Sequence, residues 1–322
     1  MIEIKQIIDY LSENISDSVP EYILIKEIYK KDFSSPEYLN SYNAVKQSKW
    51  YRELSAEQWD DGSWGRFHTM SSKDIKQKFV STEVALRRAR GLGLLKDDPM
   101  IARCIKIMER YVRGEETWTD YIEKHKDNGK SHMFCRPYLT AANINLFAPE
   151  NPVIQPLRRV VAETLKTAFE SESGGFDENF WNQKVREYHV PSIAHPGIAY
   201  SSMLLQNSNC MDGALQRRYL DYIWNGINGV YYVSSVPPGK KQYLEDKKFS
   251  QWFGVLELLS GFSLFPDYMK NEILPHLLNE TGRLINGEVV CELNCRYAEN
   301  YRDKNKRKTD IILRIARILV KC

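Results

Sequence analysis

Two segments of the chain carry the same kinds of ionisable side chain at the same spacing. In "KFVSTEVALRR", Lys78 is followed by Thr82, Glu83, Arg87 and Arg88; in "RKTDIILRIAR", Arg307 and Lys308 are followed by Thr309, Asp310, Arg314 and Arg317. Glu83 and Arg87 stand four residues apart, as do Asp310 and Arg314, the separation at which an acid and a base meet on one helix face. Arginines on otherwise buried helices need partners. The two segments therefore read as an acid–arginine network that holds an anion or orients a general acid. The plainer reading is a capped helix start, with Thr82 or Thr309 as the cap and an acid in the first turn. A third segment, "EYHVPSIAHPGIAYSS", adds His189, His195 and Tyr200. A histidine and a tyrosine beside a cavity can act as base and acid, although Pro196 and Gly197 also mark His195 as a residue leading into a helix. Glu83, Asp310, His195 and Tyr200 are the candidate catalytic groups, and Arg87, Arg314, Lys308 and Trp118 the candidate ligand contacts.

Helices must position these groups. In "DPMIARCIKIMERYVRG" the apolar residues Ile101, Cys104, Ile105, Met108, Tyr111 and Val112 form one stripe, with Asp98 as cap and Pro99 in the first turn. Asn151 and Pro152 repeat the start signal ahead of Ile154, Leu157, Val161 and Phe169. Alternating with these amphipathic segments are others with almost no charge: "YLTAANINLFA" (138–148), "GIAYSSMLL" (197–205) and "FSQWFGVLELLSGFSLF" (249–265). A helix apolar all round must be enclosed by others. Long loops separate each outer helix from the next inner one. Their anchors Trp64, Trp118, Phe176, Tyr231 and Val289 are 54, 58, 55 and 58 residues apart. Inner-helix centres follow their anchors by 21 to 24 residues, which marks an internal repeat. The expectation is a single all-α domain over 1–322, an α6/α6 barrel (α/α toroid) of about six helical hairpins. Inner helices are expected near 21–31, 80–94, 136–148, 194–206, 249–265 and 308–320, with the long loops forming a mouth at one end.

The totals bound the function. Among 322 residues the 45 basic and 42 acidic side chains leave a formal charge of +3, not the dominant basic face of a nucleic-acid binder. The basic run "RDKNKRK" (302–308) reads as a solvated loop. No uncharged run approaches the ~20 residues of a membrane span, and the N-terminus lacks a signal-peptide core. The six cysteines are scattered, and a reduced, cytoplasmic protein is the expectation. Cys291 and Cys295, with His276 upstream, do not make a zinc set. No metal and no cofactor are expected.

The segment "KWYRELSAEQWDDGSWG" (49–65) resembles the QW motif of the terpenoid cyclases through Gln58, Gly62 and Trp64, and the following "STEVALRRARGLGL" is similar to the inner helix that succeeds that motif. The resemblance implies an α/α toroid of the terpenoid cyclase and protein prenyltransferase superfamily. It also implies that the Gln58 amide satisfies main chain and that Trp64 braces a neighbouring repeat. The superfamily's chemistry does not carry over. The chain has no DxDD or DCTE-like acid motif, no DDxxD diphosphate site, no prenyltransferase zinc set and no lanthionine-cyclase "CHG" ligands. The resemblance then implies a central cavity for an isoprenoid-like or other partly apolar, anionic small ligand. The helix count suits an α6/α6 carbohydrate-active enzyme, hydrolase or lyase, as well. The loop aromatics Trp118, Tyr121, Trp181, Tyr231 and Tyr232 would stack on sugars as readily as they would bury an isoprenoid. A non-catalytic toroid acting as a protein-interaction module is the third reading.

Overall fold

Fifteen α-helices and no strand make up the computed structural model over the residues it describes, which are 2–68, 76–118, 130–171, 175–291, 293 and 295–322. They are α1 (Ile4–Asn14), α2 (Ser18–Ile23, continued by a π-helical turn Leu24–Ile28), α3 (Pro36–Gln47), α4 (Lys49–Ala56), α5 (Thr82–Gly91), α6 (Pro99–Arg113), α7 (Lys130–Asn145) and α8 (Gln155–Phe169). Then follow α9 (Glu178–Arg186), α10 (Ala199–Leu205), α11 (Gly213–Asn225), α12 (Phe249–Leu259), α13 (Phe265–Met269), α14 (Ile273–Ile285) and α15 (Lys304–Leu319). Two isolated bridges, Ile198 with Tyr231 and Val230 with Ser234, are the β-type pairings recorded between the described residues.

The expected alternation is present. Charge-poor α7, α10 and α12 and the arginine-bearing α15 bury most of their residues and α5 buries half, whereas α6, α8 and α11 bury one stripe. Neighbours in this series pack together, α6 on α7, α7 on α10 and α10 on α12, and the chain ends meet where α1 packs on α15. The fifteen described helices are three more than the twelve expected of six plain hairpins. Ser48 turns extended and caps α4 directly after α3, and α9 and α13 are short additional helices.

Two expected helix starts shift. Ser81, not Thr82, caps α5, because the Thr82 hydroxyl is taken by the Trp64 amide at 3.0 Å. Thr309 is not a cap either: α15 starts at Lys304 under Asp303, whose carboxylate accepts from the Asn305 and Lys306 amides. The run "RDKNKRK" is thus a helix start rather than a loop, and Lys306 pairs with Asp17 at 2.8 Å.

The tryptophan-rich turn joins hairpins. Trp64 is fully buried and donates through Nε1 to Leu54 O at 2.8 Å. Gln58 Nε2 donates to Gly62 O and, across to α6, to Met100 O, both at 2.8 Å, while Arg103 donates to Gln58 Oε1. Gly62 has φ +93°, and a Cβ there would lie 2.7 Å from Arg103 O. Both the left-handed backbone and the α6 carbonyl exclude a side chain. Gly62→Ala is therefore expected to cost about 1–3 kcal/mol of unfolding free energy, measured by urea denaturation; an unchanged midpoint would show that the turn yields freely.

Candidate functional site

The turn after Trp64 brings a histidine to the start of α5. Thr82 N donates to Arg66 O at 2.7 Å and Glu83 N to Phe67 O at 3.1 Å, so two amides that a helix start leaves unpaired are met by the incoming loop. Phe67 is fixed in turn by stacking on Trp118, centroids 4.4 Å apart at 16°. His68 then falls beside Glu83, with Nδ1 2.6 Å from Glu83 Oε2.

Two further helices converge on the same carboxylate. Asn143 on α7 donates through Nδ2 to Glu83 Oε1 at 2.8 Å. Tyr200 on α10 donates its hydroxyl to Oε1 and Oε2 at 3.0 and 3.1 Å, and that hydroxyl is 3.3 Å from His68 Nδ1. Glu83 is thus a buried carboxylate held by three side chains from α7, α10 and the loop before α5. With Glu83 accepting from Nδ1–H, the basic lone pair of neutral His68 lies on Nε2. Burial, reinforced by the Glu83 charge and hydrogen bond, pushes the Tyr200 phenol well above its ordinary pKa and keeps it a proton donor. The group is arranged for proton transfer, with a histidine oriented by a carboxylate and a phenol beside both.

Arg87 lies one turn further along α5, on the face that carries Glu83, and is exposed. The expected Glu83–Arg87 ion pair does not form; among the described residues Arg87 makes no hydrogen bond or ion pair, although its charge reaches Tyr200. Arg314 on α15 turns instead to Glu257 on α12, with Nε–Oε1 2.7 Å and Nη2–Oε2 2.5 Å. Arg317 holds Glu27 at 2.7 and 2.9 Å. Burial acts upward on the Glu27 carboxyl, but Arg317 and Lys26 hold it at about 2. Arg90 faces the same group of charges, and burial lowers its pKa.

The remaining candidates lie elsewhere. Asp310 is buried, and its Oδ2 accepts from the Tyr297 and Ala298 amides at 2.8 and 2.9 Å, so the acid expected to join Arg314 fixes a loop instead. Its Oδ1 has no partner among the described residues, and burial raises the carboxyl to about 7. His195 accepts from Gly197 N on Nδ1 at 3.1 Å and faces Glu178 through Nε2 at 3.2 Å, ringed by Phe176, Trp181 and Tyr222. It orders an aromatic cluster under α11 rather than meeting Tyr200. Lys308 reaches Ile285 O at 3.4 Å and lies over the Tyr10 ring. Trp118, expected at a ligand, is buried and donates to Thr140 Oγ1 at 3.2 Å; it positions Phe67 and thereby His68. Trp181 is buried as well, and Tyr121 falls outside the described residues. Of the four catalytic candidates, Glu83 and Tyr200 meet and Asp310 and His195 stand apart.

Sequence reasoning missed His68 and Asn143. A signal for Asn143 existed: an amide in the charge-free run 138–148 must find hydrogen-bond partners. Asn145, two residues on, answers the same demand structurally, donating to Met203 O and Gln206 O at the end of α10. The described His, Cys, Asp and Glu residues hold no group of three placed to bind a metal ion. No described helix is long and apolar enough to cross a membrane. No family model, curated protein or solved structure matches the chain.

Proposed function

We propose that the chain is an α/α toroid whose six helical hairpins enclose a central cavity, and that it is an acid–base enzyme acting there on an anionic, hydroxyl-rich substrate of the carbohydrate class. The observation that carries this reading is the convergence of His68, Asn143 and Tyr200 on Glu83. Ring closure is supported by α1 packing on α15 and by Arg317 bridging from α15 to Glu27 and to Gly91 O on α5. Glu257, on the charge-poor α12, keeps 31% of its side-chain surface accessible where it meets Arg314. The QW reading is supported at Gln58, whose amide meets Gly62 O and Met100 O, while Trp64 donates back to Leu54 O of the preceding helix.

Elimination from a uronate fits these groups better than hydrolysis. Hydrolysis needs two carboxyls about 5–10 Å apart across the scissile bond. Glu83 is engaged by three side chains, and Glu257 and Glu27, apart from it, are tied to arginines. Elimination needs a base for the proton next to the carboxylate, a cation to stabilise the charge that develops, and an acid for the leaving oxygen. His68 Nε2 takes the carbon-bound proton, its imidazolium stabilised by Glu83, while Arg87 faces the substrate carboxylate. The carbon–oxygen bond breaks, a carbon–carbon double bond forms, and the leaving oxygen takes the Tyr200 proton. His68 returns a proton to Tyr200, and both groups recover their starting states without water or a redox partner. The charged lining also favours this class over an isoprenoid.

The test is incubation with polyuronates, among them polygalacturonate, alginate and chondroitin, with ultraviolet detection of the conjugated unsaturated product. Farnesyl diphosphate is the comparator, read by its effect on the melting temperature. The expected result is unsaturated product from at least one polyuronate. Failure with every polyuronate overturns the reading, and stabilisation by the diphosphate alone replaces it with the isoprenoid one.

A further inference from the structure

Beside Tyr200 the segment 226–236 presents two tyrosines to solvent, Tyr231 at 63% and Tyr232 at 58% exposure. Their rings lie 4.3 Å apart between centroids, and Tyr232 packs edge-on against Tyr200 at 5.7 Å. The segment is held firmly. Val230 N donates to Ser234 O at 2.8 Å and Ser234 N returns to Val230 O at 2.9 Å. Tyr231 N donates to Gly197 O at 2.9 Å, and Ala199 N, at the start of α10, to Tyr231 O at 3.3 Å. Gly229, at φ +63°, would place a Cβ 2.3 Å from Ser234 O, so the turn is closed too tightly for any side chain.

Tyr232 itself has φ +74°. A bulky residue in that region costs about 1–2 kcal/mol, and the cost persists only where the surroundings impose it. Such strain clusters at ligand sites. Here it turns two large rings out of the core while anchoring them to the helix that carries the proposed proton donor. Tyrosine offers a broad, rigid, amphipathic contact at little entropic cost, which suits the apolar face and rim hydroxyls of a sugar ring.

We propose that Tyr231 and Tyr232 form a sugar-stacking platform adjoining the Glu83 site, so that the substrate is a glycan chain whose neighbouring unit rests on this pair. The proposal rests on the reading of Glu83, His68 and Tyr200 as an acid–base site for a uronate. Binding energy from a unit remote from the reacting bond then orients the reacting unit, and longer chains react faster than short ones.

The experiment measures kcat/KM for oligouronates of increasing length, using wild type, Tyr231→Ala and Tyr231→Trp. Because Tyr231 is exposed, the melting temperature checks that each variant is folded. The expected result is a wild-type kcat/KM that rises with chain length, with the long-to-short ratio reduced by up to about tenfold in Tyr231→Ala and restored in Tyr231→Trp. A wild type that turns over oligomers without length preference, or a Tyr231→Ala protein with the wild-type ratio, overturns the platform and leaves the Glu83 site standing. Absence of turnover on every oligomer overturns the site itself.

Discussion

Replacing Trp64 by alanine is expected to remove about 3–5 kcal/mol of stability, the range for truncating a large buried aromatic. The ring is fully buried, and its Nε1–H meets the last turn of α4 at Leu54 O. The Trp64 amide holds the Thr82 hydroxyl at the start of α5. Truncation leaves a cavity between these helices and an unpaired carbonyl, and α4 cannot move in without straining the Gln58 contact to Met100 O on α6. Urea denaturation should show the midpoint falling with little change in slope. Trp59, whose ring is half exposed in the same turn, is expected to cost far less when truncated. Equal effects for the two tryptophans would show that the turn is braced in some other way.

Asp310 gives the second large effect, and its sign is specific. Burial raises its carboxyl from 3.8 to about 7, the two backbone amides oppose the rise, and the nearby Asp17 charge adds to it. A group whose pKa is raised by folding stabilises the fold fully below its unfolded pKa and loses that contribution as pH climbs through the folded value. The contribution of Asp310 is therefore present near pH 4 and lost by about pH 7. At about 1.4 kcal/mol per unit of pKa, the loss is on the order of 4 kcal/mol. Asp310→Asn, which keeps an oxygen for the Tyr297 and Ala298 amides and cannot ionise, should lack this dependence. The measurement is unfolding free energy at intervals from pH 4 to 8 for both proteins. The wild-type value should fall relative to the variant as pH rises, and a constant difference would contradict the account.

Much of the architecture was legible because it is written locally. Asp98, Pro99 and Gly114 bound α6 by cap, fixed φ and left-handed turn, and none of these depends on distant contacts. The charge-poor runs marked α10 and α12 because an apolar helix has nowhere to go but inside. The site was legible only in part. Glu83 and Tyr200 stood out by type and position, yet the i,i+4 rule misled at Arg87 and Arg314. In the interior a nearer carboxylate such as Glu257 outcompetes the local pair, since two-point geometry outweighs sequence proximity. Asp310 looked like a cavity acid, and a buried loop claimed it through main-chain amides that no pattern reveals. His68 was hidden for a related reason: it owes its place to a turn whose path is set by Trp118 stacking on Phe67, a contact between loops far apart in the chain.

The most direct test of the Glu83-centred site is the turnover number of Glu83→Gln on whichever polyuronate the wild type converts, measured beside its melting temperature. The substitution keeps the side chain's size and can still accept from Tyr200, but it removes the charge that orients His68 and stabilises its imidazolium. The account predicts a folded protein with kcat reduced by about 10²–10⁴-fold, the usual worth of a positioned acid–base group. A folded Glu83→Gln protein that turns over at the wild-type rate would contradict it.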